Sequence, residues 1–490
     1  MLALNPDANG QTITSPYHIA LGGGIAYTSG TPAQFYNPAN LMIRTQRRNF
    51  QVTLGLGGVY YSNGLEIGRF NRFSEQVHPY FMPDNLPQSA TVTESGLQQM
   101  FGDNNRYHQT LSYDMIPVGV SWMREFSARS VAFRSRGFSS YEMNRNWYVS
   151  NVAPGDEDEP FTRYFNEKYH VFHELSIGFA REVTMFNRWQ SGLNTLLIGL
   201  APKVVIGGMH SVVNFHSEYL PNDNQWHNTK QLEARSSGDM SRFITDLVLS
   251  GQVNQAFQNN LNRNSNLDIN GYGVGLDAGL TYIIPLGNDI SLSPYVHEPL
   301  NRSLRFSIAI TDFGMVRFEK HPGQWNSRAV LRSYDDLPQS TNRYDGQPGE
   351  LFRYLHTDPG EQSVFENLVE IDDTPYTVQL PTELHLGTAF QYDWFVSLLD
   401  LNYRFNPSDY KKDGWLASLG SEVRLYRYFP IQGSIQLEPG GNISFGLGAG
   451  LDFGFLHVSA AARMFHNNSN EAQKAWQTDT VSALGLQIRF

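Results

Sequence analysis

Hydrophobic side chains recur at every second position along much of this chain, in segments separated by turn-rich stretches. Between residues 271 and 284 an apolar series alternates with a polar or small one: Tyr272, Val274, Leu276, Ala278, Leu280 and Tyr282 against Gly273, Gly275, Asp277, Gly279 and Thr281. A period of two is typical of a β-strand with one apolar face. It predicts fourteen strands, at about residues 47–61, 115–127, 129–144, 173–186, 194–209, 271–284, 303–318, 376–392, 394–405, 415–427, 431–437, 442–451, 455–466 and 480–490.

The last of these strands has an apolar face and a small or polar one. Leu484, Leu486, Ile488 and Phe490 share the apolar face. A strand that ends on an aromatic residue in this way resembles the closing strand of outer-membrane β-barrels. That resemblance implies that the barrel-assembly machinery reads these four residues as an insertion signal. An edge strand of a soluble sheet is the alternative that this segment alone leaves open.

Short and long connections between the predicted strands largely alternate. The links near residues 128, 190, 393, 429 and 453 are brief, those at 63–114, 145–172, 210–270 and 319–375 are long, and the link at 285–302 departs from the pattern. Bacterial barrels have short periplasmic turns, long outer loops and aromatic girdles. Aromatic residues gather beside the brief links: Phe186, Trp189, Trp394, Phe395, Tyr426, Tyr428, Phe429, Phe453 and Phe455. We predict an all-β fold, a transmembrane antiparallel β-barrel of about fourteen strands over residues 47–490, with both termini in the periplasm.

Residues 1–46 precede any clean alternation and are rich in Gly, Pro, Asn and Ser, so we expect them to be mostly irregular. The Gly22-Gly23-Gly24 run and the Asn37-Pro38-Ala39 turn make residues 19–41 resemble the N-terminal segment of the FadL-like family of outer-membrane transporters. Ser29 and Asn40 depart from that family's pattern, which usually has an acidic residue and a glycine there. A glycine-rich turn followed by an Asn-Pro turn is the alternative.

The FadL-like resemblance implies a function. In that family the N-terminal segment is a hatch inside the barrel lumen, and a shift of the hatch lets hydrophobic or amphipathic small molecules pass and leave sideways into the bilayer. The segments at 271–284 and 303–318 look like strands of PorV-like and uncharacterised FadL-related outer-membrane proteins of Bacteroidota. That second resemblance implies the alternative function, an accessory barrel of a secretion or envelope-assembly machine that binds protein partners through its loops.

Composition excludes some classes of protein and agrees with a barrel. The net charge of −11 argues against nucleic-acid binding, which needs a basic face. The chain has no cysteine, so it has neither disulfides nor thiolate chemistry. The sequence contains no run of about 18 apolar residues, so it predicts no transmembrane helix. The first residues lack the basic start and apolar run of a signal peptide, so we expect the numbering to be that of a processed chain from a Gram-negative outer membrane.

Motifs for catalysis or metal binding do not stand out. The sequence contains no nucleotide loop, zinc signature or nucleophile elbow, so we expect no enzyme, no cofactor and no metal site. His170 and His173 are three apart and would face opposite sides of a strand. The acidic run at 156–159 offers a divalent-ion bridge to lipopolysaccharide, although such a run is more often a solvated loop tip.

The third strand carries the candidate ligand site. Val131 and Phe133 set its outward face, which sends Arg134 and Arg136 into the lumen, where they would bind an anionic head group. Phe138 breaks this parity, so Gly137 is interpreted as a kink or bulge. In FadL-like transporters the third strand is kinked to make a lateral opening. The alternative is that both arginines pair with lumen carboxylates and the strand is closed.

The long insertion at 210–270 offers a second candidate surface. A helix is predicted over residues 239–260, with Phe243 and Leu247 on an apolar side that collects ligand at the barrel mouth. The alternative is that this side packs on neighbouring loops. The expected partners are membrane lipids, lipopolysaccharide, a hydrophobic small-molecule ligand, the assembly machinery and, in the alternative function, an envelope protein.

Overall fold

The computed structural model describes most of the predicted barrel and the segment inside it. The described residues are 15–43, 49–62, 106–124, 126–144, 161–183, 194–222, 225–250, 269–286, 302–327, 332–334, 369–405, 414–426, 428–438, 443–466 and 476–490. Several predictions fall outside these residues: the acidic run at 156–159, the girdle residues Phe186 and Trp189, most of the 285–302 link, and the continuation of the helix over 251–260.

The described part of the chain is built mainly of β-strands. They are β1 (Phe50–Ser62), β2 (Arg106–Met123), β3 (Ser127–Asn144), β4 (Phe161–Glu182), β5 (Thr195–Asn222), β6 (Gln225–Ser237), β7 (Gly271–Pro285), β8 (Arg302–Phe318), β9 (Gly323–Ser327), β10 (Arg332–Tyr334), β11 (Val369–Asp372), β12 (Tyr376–Gln379), β13 (Glu383–Tyr392), β14 (Phe395–Arg404), β15 (Gly414–Leu425), β16 (Phe429–Leu437), β17 (Ile443–Asp452), β18 (Leu456–His466) and β19 (Trp476–Arg489).

Fourteen of these strands close into one antiparallel barrel, as predicted. They are β1 to β5, β7, β8 and β13 to β19, each paired with its neighbours in the ring. The ring closes between the first and last strands, where Gln51 lies opposite Arg489 and Tyr61 opposite Thr480. Closure pairs the backbone groups that an open sheet edge would expose to lipid, and each unpaired group would cost several kcal/mol there.

The barrel is apolar outside and polar inside. On β19 Leu484 is 68% exposed, whereas Gln487 is buried, and on β7 Val274 is 65% exposed while Asp277 is buried. Trp394, Tyr426 and Phe455 are exposed beside the short turns, at the level of an interfacial girdle. The distribution fits a barrel surrounded by lipid, so the chain forms a transmembrane antiparallel β-barrel. None of the described helices is long and apolar enough to cross a bilayer.

The strands extend well beyond the predicted boundaries. β2 and β4 begin inside the stretches predicted as loops at 63–114 and 145–172, β5, β6 and an α-helix occupy much of 210–270, and β9 to β11 lie in 319–375. The prediction of irregular loops is wrong there. β5 has 28 residues, whereas a membrane span needs about 10. Outside the bilayer no lipid requires an apolar face, so these strand extensions lack the alternation from which strands were predicted.

The N-terminal residues lie inside the barrel. They form α1 (Pro16–Leu21) and two 3-10 helices, Thr31–Phe35 and Pro38–Met42, rather than irregular chain only. Each has a proline as its first or second residue, and the fixed φ of proline suits the first turn of a helix. α1 contacts β15 to β19 and the second 3-10 helix contacts β2 to β5 and β7, so the segment spans the lumen. We call residues 15–43 the lumenal segment.

Candidate functional site

The Asn37-Pro38-Ala39 turn is attached to the barrel wall by side-chain hydrogen bonds. Asn37 Oδ1 accepts from the Ala39 backbone N at 3.1 Å, which caps the 3-10 helix, and Asn37 Nδ2 donates to Thr281 Oγ1 at 2.8 Å. Asn40, in place of the usual glycine, is also bonded: its Nδ2 donates to the Ile25 carbonyl at 2.6 Å and its Oδ1 accepts from Thr281 Oγ1 at 2.6 Å. One hydroxyl of β7 therefore positions both amides.

Two glycines in the wall make room for this turn. A Cβ on Gly199 of β5 would lie 2.2 Å from the Ala39 backbone N, and one on Gly279 of β7 would lie 2.0 Å from Asn37 Oδ1. Real Cβ atoms do not come so close, so the turn and the wall fit only if both positions lack side chains. The turn and the wall are therefore in direct contact.

The other side of the lumenal segment is attached by charged groups. The Gly24 backbone N donates to Asp400, and the Tyr27 hydroxyl donates to Glu422 Oε1 at 2.9 Å. Arg463 Nη2 donates to the Ile19 carbonyl at 2.6 Å. Burial raises the pKa of Tyr27 well above its ordinary value, so its hydroxyl stays protonated and remains a donor. The glycine-rich run is thus held by strands β14, β15 and β18.

A buried ionic cluster lies next to the lumenal segment. Three cations, Arg134, Arg136 and Lys203, meet four carboxylates in it: Asp114, Glu174, Asp277 and Asp312. Arg134 binds Asp114 through two hydrogen bonds of 2.8 and 2.5 Å. Arg136 binds Asp312 in the same way, at 2.7 and 3.1 Å, and its Nη2 lies 2.5 Å from Glu174 Oε1. Two-pronged pairs of this kind are among the stronger charge-assisted hydrogen bonds.

A bulge aims two of these carboxylates into the lumen. The pairing of β7 with β8 shifts between Leu276 and Ala278, and Asp312 opposite has a left-handed φ of +56°. The Asp312 backbone N donates to Asp277 Oδ1 at 2.6 Å, and Lys203 Nζ contacts both carboxylates. A non-glycine residue with positive φ is uncommon, so the backbone is strained where the cluster is assembled.

The predicted anion site is therefore occupied by the protein's own charges. Arg134 and Arg136 point into the lumen as expected, and both pair with carboxylates, as the alternative interpretation has it. Within the described residues the cluster contains more acidic than basic groups, so it offers no surplus positive charge for an anion. The carboxylate partners on β2 and β4, Asp114 and Glu174, lie on the strands that pair with β3, whereas those on β7 and β8, Asp277 and Asp312, come from strands that no spacing rule relates to β3.

The predicted kink at Gly137 is absent. β3 pairs with β4 without a register shift from Ser127 to Met143. Phe138 does not break the parity, because its side chain is only 6% exposed and faces the lumen like Arg134 and Arg136. Gly137 is small for another reason: a Cβ there would lie 2.2 Å from the Tyr113 ring of β2. The prediction failed because it assumed that aromatic side chains of a barrel strand face lipid.

Phe138 belongs to an apolar layer in the outer half of the lumen. The layer consists of Phe138, Phe172, Val205, Val316, Phe318, Tyr376 and Leu380, all buried. His210 joins it, with Nδ1 2.8 Å from the Tyr376 hydroxyl. On β3 the order from the periplasmic end is Arg134, Arg136, Phe138, so the layer lies between the ionic cluster and the outer mouth. The sequence did not predict this layer, because its aromatic residues occur one at a time on different strands.

The helix predicted near residue 239 is α2 (Asp239–Ser250). Phe243 is 4% exposed and packs inward, and α2 contacts β5 and β6, so at this residue the structure agrees with the packing alternative. The side chain of Leu247 lies outside the described residues. At the closing strand, Leu484, Leu486, Ile488 and Phe490 all lie on the outer face, and the Phe490 ring is 6.0 Å from that of Phe50.

Comparison with known proteins adds a family. The model of a family of unknown function, DUF5723, matches residues 42–462. The chain belongs to this family. The DUF5723 chain has no match among curated proteins. It is similar to the crystal structure of the Pseudomonas putida toluene transporter TodX, with 12% identity over 99% of both chains and a TM-score of 0.47.

Two further solved structures show weaker likeness. A Pseudomonas aeruginosa FadL homologue has 10% identity over 99% of this chain and 100% of the other, with a TM-score of 0.26. The translocator domain of the autotransporter NalP from Neisseria meningitidis has 8% identity over 90% and 88%, with a TM-score of 0.25. Likenesses of this size do not bear on the function of the DUF5723 protein.

Proposed function

We propose that this protein is an outer-membrane channel for hydrophobic or amphipathic small molecules, opened when the lumenal segment shifts. One observation carries the proposal: the lumen is filled by a separate stretch of chain that pairs with no barrel strand. The segment is held by side-chain contacts such as those of Asn37 and Tyr27. Such contacts are worth about 0.5–1.5 kcal/mol each, so the segment can move while the barrel stays closed.

The order of layers in the lumen favours apolar solutes. Among the described residues of the lumen, the apolar layer around Phe138, Phe318 and Tyr376 lies nearer the outer mouth than the ionic cluster does. Ions and strongly hydrated solutes would have to shed water there in exchange for few polar groups, chiefly the His210 imidazole and the Tyr376 hydroxyl, which already bond to each other, and this is costly. An apolar molecule, or the apolar part of an amphiphile, gains from the same contacts. The ionic cluster beyond it is already neutralised by its own pairs and presents little attraction to ions.

A reversible cross-link tests whether the segment moves. A Cβ on Gly23 would lie 2.8 Å from the Cβ of Asp400, so a small adjustment reaches the 3.5 Å to about 4.5 Å that a disulfide needs. The chain has no cysteine of its own, so the pair Gly23→Cys with Asp400→Cys would form a single defined bridge. Uptake of the apolar dye N-phenyl-1-naphthylamine by Gram-negative cells that express the variant is measured before and after reduction.

We expect oxidation to reduce dye uptake to that of cells without the protein, and reduction to restore it. The single variant Gly23→Cys, oxidised in the same way, is the matched control and should behave alike in both states. Equal uptake by the oxidised and reduced double variant would show that solutes do not need movement of this segment, and would overturn the proposed mechanism.

The accessory function remains the second candidate, because the barrel carries a sheet outside the membrane. β6 pairs with β5, β9 and β10, and β11 pairs with β9. A protein partner could bind this outer sheet, as the PorV-like resemblance implies for a barrel of Bacteroidota. Affinity purification from detergent-solubilised native membranes separates the two functions: a stoichiometric envelope protein favours the accessory role, and a co-purifying apolar small molecule favours the channel.

A further inference from the structure

The outer wall of the barrel has a concave surface on its lipid-facing side. It extends over β3, β4, β5, β7 and β8 and encloses about 920 Å³. Its floor contains small residues, among them Gly199, Ala278 and Gly279, and its sides are large apolar residues such as Phe179, Leu200 and Ile308. We call this surface the outer groove. It lies outside the lumen, so its role does not depend on the passage of solutes.

The groove is deep because the wall is thin at the point where the lumenal segment is attached. Gly199 and Gly279 lack side chains to accommodate the Asn37-Pro38-Ala39 turn inside. Ala278 faces outward between the exposed Leu276 and Leu280, and it is the smallest outward residue of that stretch. Small residues on both faces of the wall leave a depression where the neighbouring strands carry leucine, isoleucine and phenylalanine.

Two cations lie at one end of the groove. Arg129 and Arg181 both line it, and both are exposed. Arg129 lies two residues after the start of β3, and Arg181 lies one residue before the end of β4, so both are near the periplasmic turns. In the pairing of β3 with β4, Ser127 lies opposite Arg181 and Phe179 lies opposite Arg129. The two arginines are therefore diagonal neighbours on the same face, and the Cα atoms of such neighbours are about 7–8 Å apart.

The two guanidinium groups have no described acidic partner. Among the residues that the structure describes, neither Arg129 nor Arg181 forms an ion pair with a carboxylate. The periplasmic ends of the strands lie at the depth of the lipid head groups, where an arginine costs little. The combination is specific: an apolar groove on the lipid-facing wall continues into two arginines that pair with no carboxylate in the described part of the chain. Guanidinium groups bind phosphate by two parallel hydrogen bonds, and an apolar groove accepts acyl chains.

We propose that the outer groove is a binding site for one anionic phospholipid of the periplasmic leaflet. Its acyl chains would lie over Ala278 and Leu200, and its head group would lie between Arg129 and Arg181. A zwitterionic phospholipid shares the phosphate and the chains but carries a cationic group that these two arginines repel. The site should therefore prefer the anionic lipid.

Native mass spectrometry of the purified full chain can measure this preference. The protein in detergent micelles is titrated with an equimolar mixture of phosphatidylglycerol and phosphatidylcholine of the same acyl chains. For the wild type we expect one lipid to survive detergent removal, with phosphatidylglycerol favoured at least fivefold. In the double variant Arg129→Gln with Arg181→Gln, the preference for phosphatidylglycerol should be lost, so that the two lipids bind about equally. Ala278→Leu fills the floor from outside and should lower binding of both lipids.

Arg317→Gln is the matched control, because Arg317 is exposed at the outer end of β8 and does not line the groove. It should keep the wild-type preference. All four proteins are checked for heat-modifiable migration in gel electrophoresis, and only folded barrels are compared. Equal retention of the two lipids by the wild type, or an unchanged preference in the double arginine variant, would overturn the proposal. Unchanged lipid binding in Ala278→Leu would place the lipid elsewhere on the barrel.

Discussion

Lys203→Met should strongly destabilise the barrel, because it removes one of three cations from the ionic cluster. Lys203 Nζ lies 3.0 Å from Asp277 and 3.6 Å from Glu174 and also contacts Asp312, and all of these side chains are buried. Without it, two arginines would face four buried carboxylates. Removal of one partner from a buried ion pair typically costs about 3–5 kcal/mol, because the remaining charge is left without compensation.

A compensating substitution distinguishes lost charge balance from lost packing. Asp277→Asn restores the original excess of one carboxylate in the Lys203→Met background, and its Oδ1 can still accept from the Asp312 backbone N. We expect the double variant to recover more than half of the loss, about 2 kcal/mol, because one uncompensated buried charge is removed. Lys320→Met, at an exposed site, is the control and should stay within about 0.5 kcal/mol of the wild type.

Urea unfolding in lipid micelles, followed by tryptophan fluorescence, gives these free energies from the transition midpoint at constant slope. We expect the urea midpoint to shift furthest in the single variant Lys203→Met. A loss below about 1 kcal/mol in that variant, or equal losses in the single and double variants, would show that the cluster is hydrated or that its charges act independently.

Three other substitutions test the lumenal segment and the closing strand. Gly279→Ala should displace the Asn37 turn and raise single-channel conductance in planar bilayers, because its Cβ would lie 2.0 Å from Asn37 Oδ1; unchanged conductance would mean that the turn does not restrict the pore. Tyr27→Phe removes the hydrogen bond to Glu422 and should raise conductance in the same direction, by less than Gly279→Ala does. Phe490→Asp should abolish membrane assembly, and a normal heat-modifiable barrel would refute the role of the closing strand.

The membrane-spanning part of the fold was predictable because the solvent changes across the wall. A strand between lipid and lumen must alternate, and all fourteen predicted strands are present. The same rule gave no signal for β6 or β9, which lie where no lipid requires an apolar face. It also misassigned Phe138, because the lumen contains an apolar layer that one strand alone does not reveal.

The ionic cluster could not be predicted from spacing. The alternation sends Arg134 and Arg136 inward, but Asp114 lies 20 residues from Arg134 and Asp312 lies 176 from Arg136. Pairing of β3 with its two neighbours brings Asp114 and Glu174 beside the arginines, whereas Asp312 reaches them from β8 across the lumen of the closed barrel. The bulge at Asp277 sets the final direction of two carboxylates. The sequence therefore predicted the inward arginines but not their carboxylates. Only the structure shows that the arginines bind partners within the protein.

The lumenal segment and the wall show why the inside of this barrel is polar even though it is buried. An apolar lumen would accept the segment in many positions, since apolar contacts have little directional preference. Amides and carboxylates accept few geometries, and an unpaired one is costly, so the Asn37 and Asp400 contacts define one position for residues 15–43. The two attachments differ in kind: Thr281 and the wall glycines hold one side through neutral groups, whereas Asp400 and Glu422 hold the other through carboxylates. Since no strand pairing fixes the segment, its release would require that these polar contacts exchange for water and that Leu41 and Phe35 lose their apolar contacts with the wall, and the closed ring of strands would stay intact.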